Sequence, residues 1–510
     1  MGQTQVPVGD LVFKINGARV GFEICEDAWV VDRPGNSLAK RAVDVILNPS
    51  ASHFAFGKNK VRKGFVLEGS RAFHCTYVYA NLLGNEAGRV VYDGDTMIAQ
   101  NGKMITHGER FTFKDWSLIT ADVDLERTRT NRVSNGSFRP DFSDVDVDFN
   151  FDPIDKRKIP KFPSQPEEED KYEPNKFDEF EDASALALFD YMRKSHSKGF
   201  VLSLSGGADS SAVACMVNNM VETGIEKLGR DNFLAKAGLK IDFDEELSDE
   251  EKNGQVINNI LTCVYQGTTN SSPETLKSAK TLAEILNATF INWSVDDLKS
   301  LYIEKVETAL GRSLNWTHDD IALQNIQARV RAPGVWMLAN IKGALLLSTS
   351  NRSEAAVGYA TMDGDTCGGL SPIAGVDKQF ILDWLKHLQK EESFYAAALA
   401  DYNNLVPTAE LRPANMKQTD EDDLMPYPVL ELIEEHAIRD KMSPQDIVTY
   451  VCSETDYKAE EVAGWVAKFF NLWSRNQWKR ERYAPSFHFD DENLDPKSWC
   501  RWPILSGSLV

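Results

Sequence analysis

Apolar and polar positions alternate in short runs over residues 1–125, and this rhythm predicts a layered α/β unit. Residues 11–13 and 19–24 read as strands, and 44–47 as a further apolar run that ends at Asn48-Pro49-Ser50. A helical period covers 60–73, and β character returns over 76–82. From 143 to 182 the chain turns to Asp, Glu, Lys and Pro, including Gln165-Pro166-Glu167-Glu168-Glu169-Asp170, which predicts an acidic connection. A second α/β region follows: a helix over 183–195, a strand over 199–204 and a helix over 212–221. The same rhythm recurs at 259–265, 278–286, 290–293 and 343–348, whereas the polar, acidic stretch 236–255 is predicted to loop out. There is no internal repeat and no coiled-coil heptad pattern. The expected organisation is therefore residues 1–140, an acidic linker over 141–180, and a body over 181–510.

Composition narrows the class. The 510 residues are 42% apolar and 26% charged, an ordinary globular balance, and the net charge is −21. So acidic a chain repels phosphate backbones and anionic lipid, so neither nucleic acid nor membrane is expected as a partner. Seven scattered cysteines with no Cys-x-x-Cys pair, and eight histidines without ligand spacing, argue against a disulfide framework and a structural zinc site. No apolar run approaches the ~20 residues of a membrane span. A reducing cytoplasm is the expected location.

The strongest chemical signal is Ser205-Gly206-Gly207-Ala208-Asp209-Ser210, placed between a predicted strand and a predicted helix. Two glycines allow a tight turn that brings N–H groups close to oxyanions, and the helix adds its positive end. Ser205 and Ser210 can donate hydroxyl hydrogen bonds. Asp209 beside a bare phosphate would repel it, which implies a bridging cation such as Mg²⁺. No lysine follows, so this is not a Walker loop. It resembles the loop of the N-type ATP pyrophosphatases, which implies cleavage of ATP between the α and β phosphates and activation of a carboxylate or carbonyl oxygen as its adenylate.

A second cluster is more specific. Ser348-Thr349-Ser350-Asn351-Arg352-Ser353-Glu354 runs into Gly358-Tyr359-Ala360-Thr361-Met362-Asp363-Gly364-Asp365 and then Ser371-Pro372-Ile373-Ala374-Gly375-Val376-Asp377-Lys378. Upstream lies Asn325-Ile326-Gln327-Ala328-Arg329-Val330-Arg331, and downstream Pro407-Thr408-Ala409-Glu410-Leu411. In this order the motifs resemble the NAD synthetase family over roughly residues 180–490, with glutamine-dependent bacterial members the nearest match. The resemblance implies a doubly wound parallel-sheet ATP pyrophosphatase domain. It further implies that Asp209 and Glu354 hold Mg²⁺. Ser203, Leu204, Ser205, Gly206, Gly207, Ala208, Asp209, Ser210, Thr349, Lys378 and Thr408 would serve ATP. Asn325, Arg329, Glu354, Tyr359 and Lys479 would face deamido-NAD. Some ammonia-dependent relatives carry lysine where Met362 stands and aspartate where Gly369 stands, so those two contacts are not carried over.

The front of the chain has a resemblance of its own. Arg19-Val20-Gly21-Phe22-Glu23-Ile24-Cys25-Glu26-Asp27-Ala28-Trp29 reads as a strand ending in a cysteine at a turn, and it is similar to the nucleophile segment of nitrilase-fold amidases. The stretch Asn48–Lys58 matches the glutamine-binding segment, with Ser52 and Lys58 as contacts. The implied fold is a partial α/β/β/α nitrilase-like domain with Cys25 as nucleophile. In that family the cysteine works with a lysine and a glutamate base, both drawn from before the nucleophile strand, and only 24 residues precede Cys25 here. Lys14 is too close in sequence for that role and Glu26 is a neighbour, so an N-terminally truncated glutaminase domain is expected.

The resemblance implies ATP-dependent amidation of deamido-NAD. Ammonia would come from glutamine in a complete protein and from free ammonium salts in this chain, and the family points to a homo-oligomer. The loop alone leaves room for another pyrophosphatase such as GMP synthetase, for a stand-alone carbon–nitrogen hydrolase, or for a catalytically impaired assembly subunit.

Overall fold

Strands β1 (Val12–Ile15) and β2 (Ala18–Phe22) are joined by Asn16-Gly17, with φ of 48° and 85°, the positive pair that a two-residue hairpin turn requires. They open the first of two units in the computed structural model, which describes residues 9–86, 89–142, 146–149, 175–390, 399, 411–412 and 420–501. The first unit takes in Met1–Glu86 with Val90–Glu179, and the second Ala87–Arg89 with Phe180–Val510.

In the first unit β3 (Val45–Ser50) and β4 (Thr76–Asn81) run parallel to β2. A hairpin pairs β5 (Leu83–Glu86) with β6 (Val90–Asp93) as a separate two-stranded sheet. Antiparallel β7 (Thr96–Gln100) and β8 (Lys103–His107) extend the main sheet, and β9 (Asp146–Phe149) lies parallel to β1, giving the order β8-β7-β4-β3-β2-β1-β9. Residues 146–149, inside the stretch read as a connection, are thus an edge strand. Helices α1 (Pro34–Lys40) and α2 (Lys58–Ala72) cover one face, where Leu38 and Val66 pack with Ile46, Tyr77 and Tyr79; helix α3 (Leu125–Ser134) follows β8. On the other face Phe22, Pro49 and Ala80 are exposed.

Charge as well as apolar surface is buried in this unit. Arg62 of α2 bonds both Asp93 oxygens at 2.9 and 2.7 Å and lies 3.5 Å from Asp95, with all three side chains fully buried. Asn81 donates to Asp93 at 2.7 Å, and His107 meets Asp95 at 2.8 Å. Removing one partner from such a cluster typically costs about 3–5 kcal/mol, so it fixes the end of β4 against the turn between β6 and β7.

The second unit begins with α4 (Lys176–Lys194), whose first residues belong to the other unit, and β10 (Phe200–Ser203). Helices α5 (Ala208–Leu228), α6 (Arg230–Ala237) and α7 (Asp249–Ile260) lead to β11 (Leu261–Gly267). Then come α8 (Pro273–Ile285), β12 (Thr289–Ser294), α9 (Asp296–Leu310), α10 (Asp320–Lys342) and β13 (Leu345–Leu347). The four strands are all parallel, in the order β12-β11-β10-β13. Val335 and Ala339 of α10 pack on Val201, Val264 and Leu346. Cys215 of α5 lies beside Cys263, whose side chain alternates to the opposite face from Val264, so helices cover both faces. After α11 (Arg352–Val357) and α12 (Lys378–Lys390), the helices Tyr427–Glu434, Pro444–Glu454 and Ala459–Asn476 enclose a further core with Ala356 and Val357 of α11.

The expected loop over 236–255 is only half correct. Residues 249–255 are the front of α7, because Ser248 Oγ accepts from Glu251 N at 3.2 Å while Glu251 accepts from Ser248 N at 2.9 Å. This reciprocal cap turns an acidic run into a helix start, and Val256, Ile257 and Ile260 are then buried.

Candidate functional site

Strand order reverses beside β10: β11 and β12 lie on one side of it and β13 on the other. The segments leaving the carboxyl ends of β10 and β13 therefore diverge over a crevice, the usual ligand position in an open α/β sheet. Ser205–Ser210 leaves one strand and Ser348–Glu354 the other.

The first segment is held by its own hydroxyls. Ser210 Oγ accepts from Ser205 N at 3.2 Å, meets Ser205 Oγ at 3.1 Å and donates to Gly207 O at 3.1 Å. Gly207 N donates to Ser205 Oγ at 3.3 Å. Leu204 N bonds Val264 O at 2.9 Å, and Ser203 Oγ donates to Gln266 at 3.4 Å. Gly206 has φ +82°, and a Cβ there would stand 2.3 Å from Thr275 O at the start of α8. Gly207 and Ala208 open α5.

The second segment supplies the partners. Asn351 caps α11, its Oδ1 accepting from Glu354 N at 2.9 Å, while its Nδ2 donates to Asp209 Oδ1 at 3.2 Å and to Glu354 Oε1 at 3.0 Å. One amide thus brings together the two carboxylates expected to share a cation. Lys378, the first residue of α12, places Nζ 2.5 Å from Asp209 Oδ2 and is itself buried. Thr349 lies half-buried between Ser348 and Ser350, whose hydroxyls donate to Asp365 O at 2.9 and 3.2 Å. Thr408 lies outside the described residues. Among the described residues no group of three or more His, Cys, Asp or Glu side chains could hold a metal ion. The Asp209–Glu354 pair nevertheless suits Mg²⁺, which commonly takes one or two carboxylates and completes its shell with phosphate oxygens and water.

The residues assigned to the second substrate converge on Gly358–Met362. Asn325 and Arg329 sit one turn apart on α10; Thr361 Oγ1 donates to Asn325 at 2.8 Å and Arg329 Nε donates to Met362 O at 3.0 Å. Lys479 Nζ donates to Gly358 O at 2.7 Å and Ala360 O at 3.2 Å, and burial holds its pKa below the ordinary lysine value. Tyr359 OH donates to Asp423 at 3.1 Å. Gly369 bonds Leu346 O through its backbone N–H at 2.8 Å.

In the first unit Cys25 heads a short 3-10 turn just past the carboxyl end of β2, with φ +50°, a conformation non-glycine residues seldom hold without support. It is half-buried, unlike Cys75, whose thiol burial pushes up to about 12. Ser52 lies beyond the neighbouring strand β3 and is clasped by Asn81, which accepts from its N–H and donates to its carbonyl, both at 2.9 Å. Lys58 reaches His53 at 3.2 Å and lies 5.6 Å from the ring of Trp29, in the turn that Cys25 opens. The two strand ends are tied by Glu23, which accepts from Arg33 at 2.9 and 2.5 Å, from Gly35 N at 2.9 Å and from Tyr77 OH at 2.5 Å; Asn48 donates to that phenol at 2.8 Å. Burial opposes the Glu23 charge, but Arg33 and Tyr77 hold its pKa below the ordinary glutamate value. No side chain among the described residues hydrogen-bonds the Cys25 sulfur. Sequence reading gives no role to Glu23, Asn351, Arg352 or Asp377, although all four stand within the quoted motifs, and none to Arg33 or Tyr77.

Comparison with known proteins adds independent findings. The family model described as NAD synthase matches residues 182–482, more than half of the chain. A crystal structure of a glutamine-dependent NAD(+) synthetase from Cytophaga hutchinsonii is 46% identical, with a TM-score of 0.80, over 98% of this chain and 73% of that one. A putative glutamine-dependent NAD(+) synthetase of Schizosaccharomyces pombe is 28% identical over 97% of this chain and 74% of its own length. A glutamine-dependent NAD+ synthetase from Acinetobacter baumannii, solved with adenosine diphosphate, is 22% identical with a TM-score of 0.57, over 99% of this chain and 75% of that one, and so shares the fold.

The geometry of Gly206 makes an outcome measurable. Gly206→Ala combines a forbidden contact with a strained φ, a cost of about 1–3 kcal/mol at the loop. MgATP affinity in equilibrium titrations is expected to fall by about tenfold or more, with helix content unchanged by circular dichroism.

Proposed function

This chain belongs to the glutamine-dependent NAD(+) synthetases, ligases that amidate deamido-NAD at the expense of ATP, and from that premise we propose how its residues divide the work. The family match over residues 182–482 sets aside GMP synthetase and a stand-alone hydrolase. ATP lies over the carboxyl ends of β10 and β13, with its phosphates against the N–H groups of Gly206–Asp209 and the amino end of α5. The observation that carries this reading is the Asn351 amide shared by Asp209 and Glu354 at 3.2 and 3.0 Å. The bound ADP of the Acinetobacter relative supports a nucleotide at this fold. Asp209 and Glu354 would hold Mg²⁺, which supplies charge neutralisation at the phosphates when bound. Lys378 and the loop amides face the negative charge that develops on the leaving pyrophosphate.

The carboxylate of deamido-NAD attacks the α-phosphorus, the bond to the bridging β-phosphate oxygen breaks, and pyrophosphate leaves. Ammonia then attacks the acyl carbon, the bond to AMP breaks, and a proton passes to solvent, leaving the amide of NAD. Asn325, Arg329, Tyr359 and Lys479 line the segment where the dinucleotide is placed, and Thr349 and Thr408 complete the ATP contacts.

Residues 1–140 constitute a nitrilase-like glutaminase domain, 141–180 a connecting stretch that also lends the edge strand β9, and 181–510 the synthetase. Cys25 is the glutaminase nucleophile, with Ser52 and Lys58 at the glutamine; its strained φ and partial exposure support this. The described cysteines are all free thiols, which suits a cytoplasmic location, and no described helix is long and apolar enough to cross a membrane. A homo-oligomer is supported by α9, none of whose residues is buried and whose Leu298, Leu301, Tyr302, Val306 and Leu310 form an exposed apolar stripe.

With ammonium as donor, Asp209→Ala is expected to abolish AMP and NAD formation from MgATP and deamido-NAD; full turnover would remove the magnesium role. Cys25→Ala is expected to abolish glutamate release from glutamine while ammonium still supports turnover, and glutamate release by that variant would remove Cys25 as the nucleophile. Leu301→Asp in α9 is expected to lower the mass found by sedimentation velocity, and an unchanged mass would rule that stripe out as the interface.

A further inference from the structure

Beneath the nucleotide site lies a buried cation whose counter-charges come from distant parts of the chain. Arg352 is 2% exposed. Its Nη1 donates to both oxygens of Asp490, at 2.9 and 2.8 Å, and to Gly375 O at 3.1 Å. Its Nη2 donates to Asp377 at 2.9 Å and lies 2.8 Å from Glu492. Glu434, whose pKa burial pushes well above the ordinary glutamate value, stands 3.7 Å from Nε. A guanidinium presents its donors in a fixed planar fork, so the direction of one bond constrains the others.

Two of those directions lead straight to the site. Arg352 is the first residue of α11, between Asn351 and Glu354. Asp377 turns its other oxygen to Phe380 N at 2.7 Å, capping the helix that Lys378 begins, and Lys378 N donates to Ser353 Oγ at 3.1 Å. One fork therefore sets where the Lys378 ammonium stands relative to the Asn351-bridged carboxylates. Asp490 holds the other nitrogen of the fork, Nη1, and Glu492 shares Nη2 with Asp377.

We infer that Asp490 and Glu492, from the chain's C-terminal stretch, are positioning residues of the ATP site: through Arg352 and Asp377 they hold Lys378 in register with Asp209 and Glu354. The inference rests on the reading of that site given above. Without the two acids the buried guanidinium keeps Asp377 as its close counter-charge and turns toward it and Glu434, shifting the segment that carries Lys378. A displacement of about 1 Å at a reacting centre can cost roughly a hundredfold in rate. The C-terminal stretch does not depend on these acids to stay in place. Ser371 N bonds Pro485 O at 2.9 Å, Phe487 and Phe489 are fully buried, and a Cβ on Gly375 would come within 2.3 Å of Phe487 O.

The test compares the full chain with Asp490→Asn/Glu492→Gln, which keeps shape, and with Asp490→Ala/Glu492→Ala. Steady-state kinetics use MgATP, deamido-NAD and ammonium. Calorimetry measures binding of a non-hydrolysable ATP analogue with Mg²⁺, and thermal melts report the fold. The amide pair is expected to lose about tenfold in kcat/KM for ATP and in analogue affinity, with KM for deamido-NAD within about twofold, and the alanine pair to lose more. A folded amide-pair variant with unchanged turnover and analogue binding overturns the inference, as does a loss that only tracks the folded fraction. If the alanine pair does not fold, the amide pair decides. A parent chain that forms no AMP overturns the reading of the site itself, and the inference with it.

Discussion

The reversal of strand order beside β10 is the constraint from which the site follows. Parallel strands send their carboxyl ends to one edge of the sheet, so the segments after β10 and β13 must leave on the same side. Because those strands are neighbours while their following helices go separate ways, Asp209 and Asn351 come within one hydrogen bond of each other despite lying far apart in sequence. The amino end of α5, the caps of α11 and α12, and the ammonium of Lys378 then point into one crevice.

An acidic protein that handles polyanionic substrates needs its positive charge in the right places. The chain carries a net charge of −21, yet Lys378 stands on Asp209 at the crevice, and Arg329 and Lys479 on the backbone of Gly358–Met362. Local placement overrides the global balance because charges several Debye lengths away are screened by salt, about 8 Å at physiological ionic strength. The first unit uses buried charge differently. Arg62 with Asp93 and Asp95, and Glu23 with Arg33 and Tyr77, are structural clamps on strand ends, and Cys25, half-buried, and Ser52, buried, lie beyond those ends.

Much of this was legible in the chain itself. Strand, glycine turn and helix around Ser205–Ser210 have local causes, so periodicity and turn chemistry predict them. The assignment of Asp209 and Glu354 to one cation comes from family resemblance; what the fold adds is the Asn351 amide that bonds both carboxylates. The Arg352 cluster was not legible, because its carboxylates stand at 377, 434, 490 and 492 and only folding gathers them. The front of α7 was misread for a local reason: acidic residues that look like a solvated loop are also those that favour a helix amino end, and Ser248 with Glu251 tips the balance. The edge strand Asp146–Phe149 carries alternate acidic residues, a pattern that composition alone assigns to solvent.

The close approach of Gly206 to the carbonyl of Thr275 has a consequence for how this protein can drift in sequence. Thr275 is held by Ser272 Oγ at 3.3 Å and its hydroxyl by Tyr265 OH at 3.0 Å, so the opening turn of α8 has little freedom to retreat. A lineage that exchanged the glycine would have to redraw that turn in the same step. Because the contact is to a main-chain oxygen, no change of side chain at 275 relieves it, and the shape of the loop is guarded by the backbone of a neighbouring helix.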